Sequence, residues 1–174
     1  MYAFMGGDLG TGGYRGYRFD AATDVKFVWE SAMKTAAQLL NEFLPLAHNP
    51  KKGALLFAED GVVELPYLTD LGMQWQYKGR TKIASLYALL LQLVPEWDYR
   101  DAVVLIDTSE SAFAEYKVDA PAVATQQSFK QHFFGYIHVE DGKIKLLREA
   151  LNIVMTAYSF FPNRLADIPQ PEAV

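Results

Sequence analysis

Cysteine is absent from the 174 residues, so the chain can hold no disulfide and no thiolate-ligated metal. Histidine is scarce. His132 and His138 are six residues apart, roughly 20 Å along one strand, and His48 stands alone, so no set has metal-ligand spacing. Basic charge is thin as well: nothing exceeds the Lys51-Lys52 pair in a chain of net charge −5, which leaves little for counterion release from phosphates. No nucleic-acid partner is expected. No apolar run approaches the ~20 residues of a membrane span, and "MYAFMGGDLGTGG" lacks the basic and apolar regions of a secretory signal, so a cytoplasmic location without membrane contact is expected. The glycine-rich stretch "GGDLGTGGYRGYR" follows no apolar strand and is followed by no Gly-Lys-Ser/Thr. It reads as a flexible arm over residues 1–20 rather than a phosphate loop. There is no Gly-x-Ser-x-Gly and no evident Ser/His/Asp set. Neither a metal nor an organic cofactor is expected.

What the chain does have is apolar and aromatic. Hydrophobic residues make up 51% against 21% charged, enough in a chain of this length to bury a core, and ten Tyr and eleven Phe suit an apolar cavity or a buried partner face. A single domain is expected over residues 21–165, with a proline-containing tail over 166–174.

Apolar residues from Val25 to Phe43 recur at three- and four-residue spacing, predicting one helix with Thr23 or Asp24 as N-cap and Pro45 as its stop. "HNPKKG" reads as a loop. "ALLFAEDGVVELPY" reads as an apolar stretch, a turn at Asp60-Gly61 and a short strand; "TDLGMQWQYKG" reads as a loop leading into a strand. "RTKIASLYALLLQLVPEW" predicts a second helix, ended by Pro95 and apolar nearly all round, hence buried on more than one side. "DAVVLID" and "SAFAEYKVDA" read as a hairpin about Thr108-Ser109-Glu110. "SFKQHFFGYIHV" turns through "EDGK" into "IKLLREALNIVMTAY". The latter has good helix propensity, but the Asp-Gly connection after an aromatic run predicts that it continues as strand. Helices first and strands after give an α+β fold, with helices on one face of a curved antiparallel sheet.

Val94-Pro95-Glu96-Trp97 after a helix, an alternating hairpin, and "DGKI…RE..N" on the last strand resemble the SnoaL-like branch of the nuclear transport factor 2-like superfamily, nearest its phenazine-biosynthesis A/B proteins. The resemblance covers residues 54–165. It implies a cone-shaped antiparallel sheet (cystatin-like, ketosteroid isomerase-like) with the N-terminal helices on its concave side. It also implies a pocket for a small hydrophobic molecule, and a homodimer formed through the convex sheet face. It places Glu149 where the phenazine proteins carry a catalytic Glu, pointing into the cone; period-two alternation puts Lys145, Leu147, Leu151 and Ile153 on the same strand face.

A carboxyl held in such a cavity loses solvation, and its raised pKa suits proton transfer. The competing reading of Glu149 is an ion pair with Arg148 or Arg80. Tyr116 is the candidate hydroxyl donor, with its face left open; Tyr67 is a second. Candidate ligand contacts are Tyr67, Trp75, Leu86, Leu90, Trp97 and His132, the last equally suited to the sheet or a dimer face. The chain departs from the phenazine proteins at Leu86, where they carry a second proton-transfer His, and near Gly53, where no arginine aligns. A more apolar pocket follows. The expected activity is cofactor-free isomerase, cyclase or dehydratase chemistry through Glu149, or else a non-catalytic binding module on the same fold.

Overall fold

The computed structural model describes residues 34–170. The glycine-rich arm, the proposed cap at Thr23 or Asp24, and the end of the tail lie outside them. The expected helix does not run unbroken to Phe43. Thr35 is extended, and its hydroxyl accepts from the Gln38 amide while the Gln38 side chain accepts from the Thr35 amide, so a new helix, α1 (Ala36–Phe43), starts there. This reciprocal capping box satisfies two otherwise orphaned donors. Its apolar stripe of Ala36, Leu39, Leu40 and Phe43 is buried. Pro45 does not end the helical path but opens a 3₁₀ turn, Leu44–His48. The expected loop 48–53 is instead mostly helix α2 (Pro50–Ala54), with the Asn49 side chain accepting from the Lys52 amide. Pro sits at the first positions of both pieces, where its missing N–H is harmless.

No turn forms at Asp60-Gly61. One strand, β1 (Phe57–Glu64), passes through, and its register jumps from Phe57 opposite Ile144 to Val62 opposite Leu146. Gly61 is there because a Cβ would lie 2.8 Å from the Ile144 carbonyl oxygen. The glycine therefore marks a bulge with close backbone approach, not a reversal. A 3₁₀ turn (Pro66–Leu71) and a short β2 (Gln76–Lys78) follow. Helix α3 (Arg80–Leu93) forms as predicted and stops ahead of Pro95, but it is buried on one side only, through Ile83, Leu86 and Tyr87; Leu89 is 45% exposed.

The hairpin of β3 (Arg100–Asp107) and β4 (Ser111–Pro121) stands as read, as does that of β5 (Ser128–Glu140) and β6 (Lys143–Ala150). Asp141 and Gly142 both take the left-handed conformation such a tight connection needs. The strand expected to continue to Tyr158 stops at Ala150. Asn152 caps a helix, α4 (Ile153–Phe160), its side chain accepting from the Met155 amide, while Gln131 of β5 holds both the Asn152 amide and carbonyl. Sheet pairing overrides helix propensity as far as Ala150. Beyond it the chain leaves β5, although that strand continues to Ser128, and the Asn152 cap with its Gln131 contacts starts the helix in spite of the β-branched Ile153, Val154 and Thr156. Leu151 and Ile153 therefore do not share a strand face with Glu149. Lys145 leaves that face too: the register shifts between His138 and Val139, and the Lys145 ammonium bonds Asp60 outside. The tail makes a further 3₁₀ turn, Arg164–Asp167, against α4.

The six strands lie in the order β2-β1-β6-β5-β4-β3. The sheet is mixed rather than antiparallel throughout, because β1 runs parallel to β6. Two parallel neighbours need a long crossover, and the chain from β2 to β5 supplies it. Alternation along β5 sends Phe129, Gln131, Phe133 and Ile137 toward the helices, and Lys130, His132, Phe134 and Tyr136 to the other face. Helices α1, α3 and α4 close over the inner face, and the site lies there.

Candidate functional site

Glu149 is 2% exposed on β6, opposite Gly135 of β5. Tyr116 comes from β4, one strand further out, where it pairs with Phe133. Its phenol crosses β5 above Gly135 and donates to Glu149 Oε1 at 2.5 Å. The crossing needs a glycine: a Cβ at 135 would stand 2.3 Å from the Tyr116 hydroxyl. Gly135→Ala is therefore expected to destabilise the fold by about 1–3 kcal/mol, as overpacking does. It should also push Tyr116 off the carboxylate and raise the Glu149 pKa further. Urea denaturation and carboxyl NMR check the two effects, and an unchanged titration would disprove the crossing.

Neither arginine pairs with Glu149. Arg148 Nε donates to Glu64 at 2.6 Å; Arg80 donates to the Phe57 carbonyl and lies 3.9 Å from Glu59. Without a cation, burial dominates and raises the Glu149 pKa to about 7, only partly offset by hydrogen bonding from Tyr116 and the nearby Tyr99 hydroxyl. Burial first, and then the Glu149 charge, pushes the phenols of Tyr87, Tyr99 and Tyr116 well above their usual range, so all three stay protonated as donors.

Tyr99 stands edge-on to both Trp97 (ring centroids 5.5 Å apart) and Tyr116 (5.1 Å). Tyr87 Oη, Trp97 Nε1 and Tyr99 Oη are buried beside the acid outside strict hydrogen-bonding geometry, and of these the Tyr99 hydroxyl lies near enough to Glu149 to lower its pKa. A cavity of about 60 Å³ adjoins Glu149, Trp97 and Tyr99, walled by Leu86, Leu90, Phe129 and Phe133 and bordered toward solvent by Leu89. No Lys, Arg or His lines it among the described residues.

Of the residues named from sequence, Glu149, Leu86, Leu90 and Trp97 line this cavity, and Tyr116 supports its acid from beneath. Tyr67 and Trp75 do not line it. Tyr67 is 51% exposed on the outer side of a 3₁₀ turn whose Leu68 points inward, and Trp75 is 37% exposed, its carbonyl accepting from the Leu65 amide. His132 faces away: strand alternation puts it outside, 3.1 Å from Glu115 and stacked on Phe134. The outer face also brings Ser111, His138 and Glu140 into a chain of contacts at 3.1 and 3.4 Å, a set not evident in the sequence. The sequence reading missed Tyr87, Tyr99, Phe129 and Phe133. Period-two alternation against His132 marks the two phenylalanines; no local signal marks the tyrosines.

No helix among the described residues is long and apolar enough to cross a membrane. No family model matches the sequence. Phenazine biosynthesis protein PhzB1 of Pseudomonas aeruginosa is 28% identical over 122 residues, which are 67% of this chain and 70% of that protein. A solved phenazine biosynthesis-related protein (phzb2) from the same organism superposes with a TM-score of 0.64 at 19% identity, covering 87% of this chain and 96% of that one. A protein of ketosteroid isomerase-like fold from Catenulispora acidiphila gives 0.63 at 13% identity, over 78% of this chain and 100% of that one. A provisionally named polyketide cyclase from Xanthomonas campestris gives 0.61 at 18% identity, over 71% and 95%. The described chain thus has a nuclear transport factor 2-like, ketosteroid isomerase-like α+β fold, and its sequence is similar to that of the phenazine biosynthesis B proteins.

Proposed function

We propose that this protein binds a small apolar metabolite in the cavity beside Glu149 and moves a proton on it, in an isomerisation, cyclisation or dehydration. The observation that carries this reading is a buried carboxyl with no ion-pair partner among the described residues, set at an apolar cavity and titrating at about 7. Such a group is part base and part acid at neutral pH, which general acid–base catalysis requires. Similarity to a phenazine biosynthesis protein and to a provisionally named polyketide cyclase supports the reaction class. The test is exchange of the α-protons of cyclic ketones into deuterated water, followed by NMR. A rate that rises with pH and levels above about 7 is expected.

One observation favours a second reading, a non-catalytic binding module. The cavity is only about 60 Å³, whereas ligand pockets span roughly 300–1,000 Å³. Ligand binding without any exchange would establish that alternative. The outer sheet face supports pairing with a second copy: Phe134 and Tyr136 are exposed on it, and the edge strand β3 exposes Val103, Leu105 and Ile106. A dimer mass is expected by light scattering, with a shift to monomer in Phe134→Glu.

A further inference from the structure

Ser111 of β4 and His138 of β5 stand directly opposite each other. Alternation along β5 puts Tyr136, His138 and Glu140 on one face, the outer one. The four side chains form a cluster that shares no residue with the inner cavity. Ser111 Oγ lies 3.1 Å from His138 Nδ1 and 3.1 Å from the Tyr136 hydroxyl, and His138 Nε2 lies 3.4 Å from Glu140 Oε1. Lys145, whose ammonium bonds Asp60, stands 3.9 Å from the other Glu140 oxygen and helps to hold that carboxylate in place.

The contacts have a direction. An ionised carboxylate only accepts, so Glu140 draws the imidazole proton to Nε2 and leaves the Nδ1 lone pair facing Ser111. The serine hydroxyl can then give its proton to Nδ1. A nucleophile, a base and a group that orients the base are the parts of an acyl-transfer site.

We propose that Ser111 is a nucleophile toward esters of small uncharged carboxylic acids, with His138 as its base, Glu140 orienting His138, and Tyr136 donating to the oxyanion. Ser111 Oγ bonds to the acyl carbon as its proton passes to His138 Nδ1. The bond to the alcohol oxygen then breaks, and His138 returns the proton to the departing alcohol. Water attacks acyl-Ser111 by the same route, releasing the carboxylic acid and restoring the serine. The Ser111 amide donates to Thr108 Oγ1 at 2.9 Å, so the oxyanion is left to the Tyr136 phenol beside Ser111 Oγ. The substrate class follows from the surroundings. Phe113 pairs with Tyr136 across the strands and stacks on Phe134 at 6.1 Å, which gives the acyl group an aromatic surface. Glu115, opposite Phe134, and Glu140 flank that surface and disfavour an anionic acyl group.

The experiment mixes the intact protein with p-nitrophenyl acetate, follows nitrophenolate release, and locates the acetyl group by peptide mass spectrometry. Acetyl-Ser111 is expected. Ser111→Ala should lose that label together with the matching release, and His138→Gln should slow acylation by about 10²-fold, as loss of a positioned base does. Tyr136→Phe should slow it by about tenfold, the worth of one hydrogen bond. In Glu140→Ala, nitrogen NMR of the His138 ring should show part of the proton moved from Nε2 to Nδ1; an unchanged ring overturns the part given to Glu140. All four side chains belong to one chain, so Phe134→Glu, expected to release a second copy from this face, should acylate at least as fast as the parent. Acetyl on lysines alone, Ser111 labelled at the parent rate in His138→Gln, or loss of the label in Phe134→Glu overturns the site. Ser111→Ala and Tyr136→Phe each remove a single oxygen, so they keep the test open if His138→Gln does not fold.

Discussion

Glu149→Gln is expected to be about 3 kcal/mol more stable than the parent protein at pH 8–9 and within about 1 kcal/mol of it near pH 4. The buried carboxyl titrates at about 7 in the fold against 4.5 when free. Between those values the folded chain holds a proton that the unfolded chain has released, so stability falls as pH rises through this window. Below it both states are protonated and the penalty vanishes. Above it the penalty is complete, because a charge is held out of water with hydrogen bonding from Tyr116 and Tyr99 as its only nearby help. Glutamine is close in shape to the protonated acid, can still accept from Tyr116, and has no charge to desolvate. Asp60 and Asp119, whose pKa values are lowered by hydrogen bonds from Lys145 and Ser128, titrate alike in both proteins and cancel in the comparison. Urea denaturation of the two proteins at several pH values measures the difference. A gap that does not change with pH would show that Glu149 is solvated or paired.

α-Proton exchange on a bound ketone is expected to fall by about 10²–10⁴-fold in the same variant, the usual contribution of a positioned base. Exchange needs the ionised carboxylate to take the proton, so the parent rate should climb to a plateau above about pH 7. Tyr116→Phe removes a hydrogen bond that favours the ionised form, so its inflection should lie at higher pH than the parent's. The direction of that shift separates a positioning role for Tyr116 from a structural one, which would lower the rate without moving the inflection. A glutamine variant that exchanges at the parent rate would remove Glu149 from the chemistry.

Much of the fold was legible because it is written in local periodicity. The alternation of Phe129, Gln131, Phe133 and Ile137 with His132, Phe134 and Tyr136 assigns the two faces of β5, and the Asp141-Gly142 turn sets its pairing with β6. The errors fall where local signals have two meanings. Asp60-Gly61 serves equally as a turn and as a bulge, and only the approach of the Ile144 carbonyl decides. Arg148-Glu149-Ala150 is helix-forming by propensity yet pairs as strand, whereas the β-branched Ile153, Val154 and Thr156 lie in a helix, because β5 takes the first stretch and the Asn152 cap, held by Gln131, starts the second. Thr35 with Gln38 is a readable capping box, hidden inside a longer apolar period.

For the site, the sequence by itself named Glu149 as a candidate buried acid, through a resemblance borne out at the level of the fold, and left an ion pair with Arg148 or Arg80 open. It also offered six candidate contacts, of which Leu86, Leu90 and Trp97 line the cavity and Tyr67, Trp75 and His132 do not. Only the tertiary structure decided that Arg148 and Arg80 turn to other partners, that Tyr116 reaches the acid across a glycine, and that the Tyr99 hydroxyl and Trp97 come to lie beside it. The reason is physical. Which face a residue takes is set by its immediate neighbours along the strand. The partners that fix a buried charge lie 33 residues away in Tyr116, or do not exist among the described residues, and such absences arise only when the whole sheet and its helices have closed.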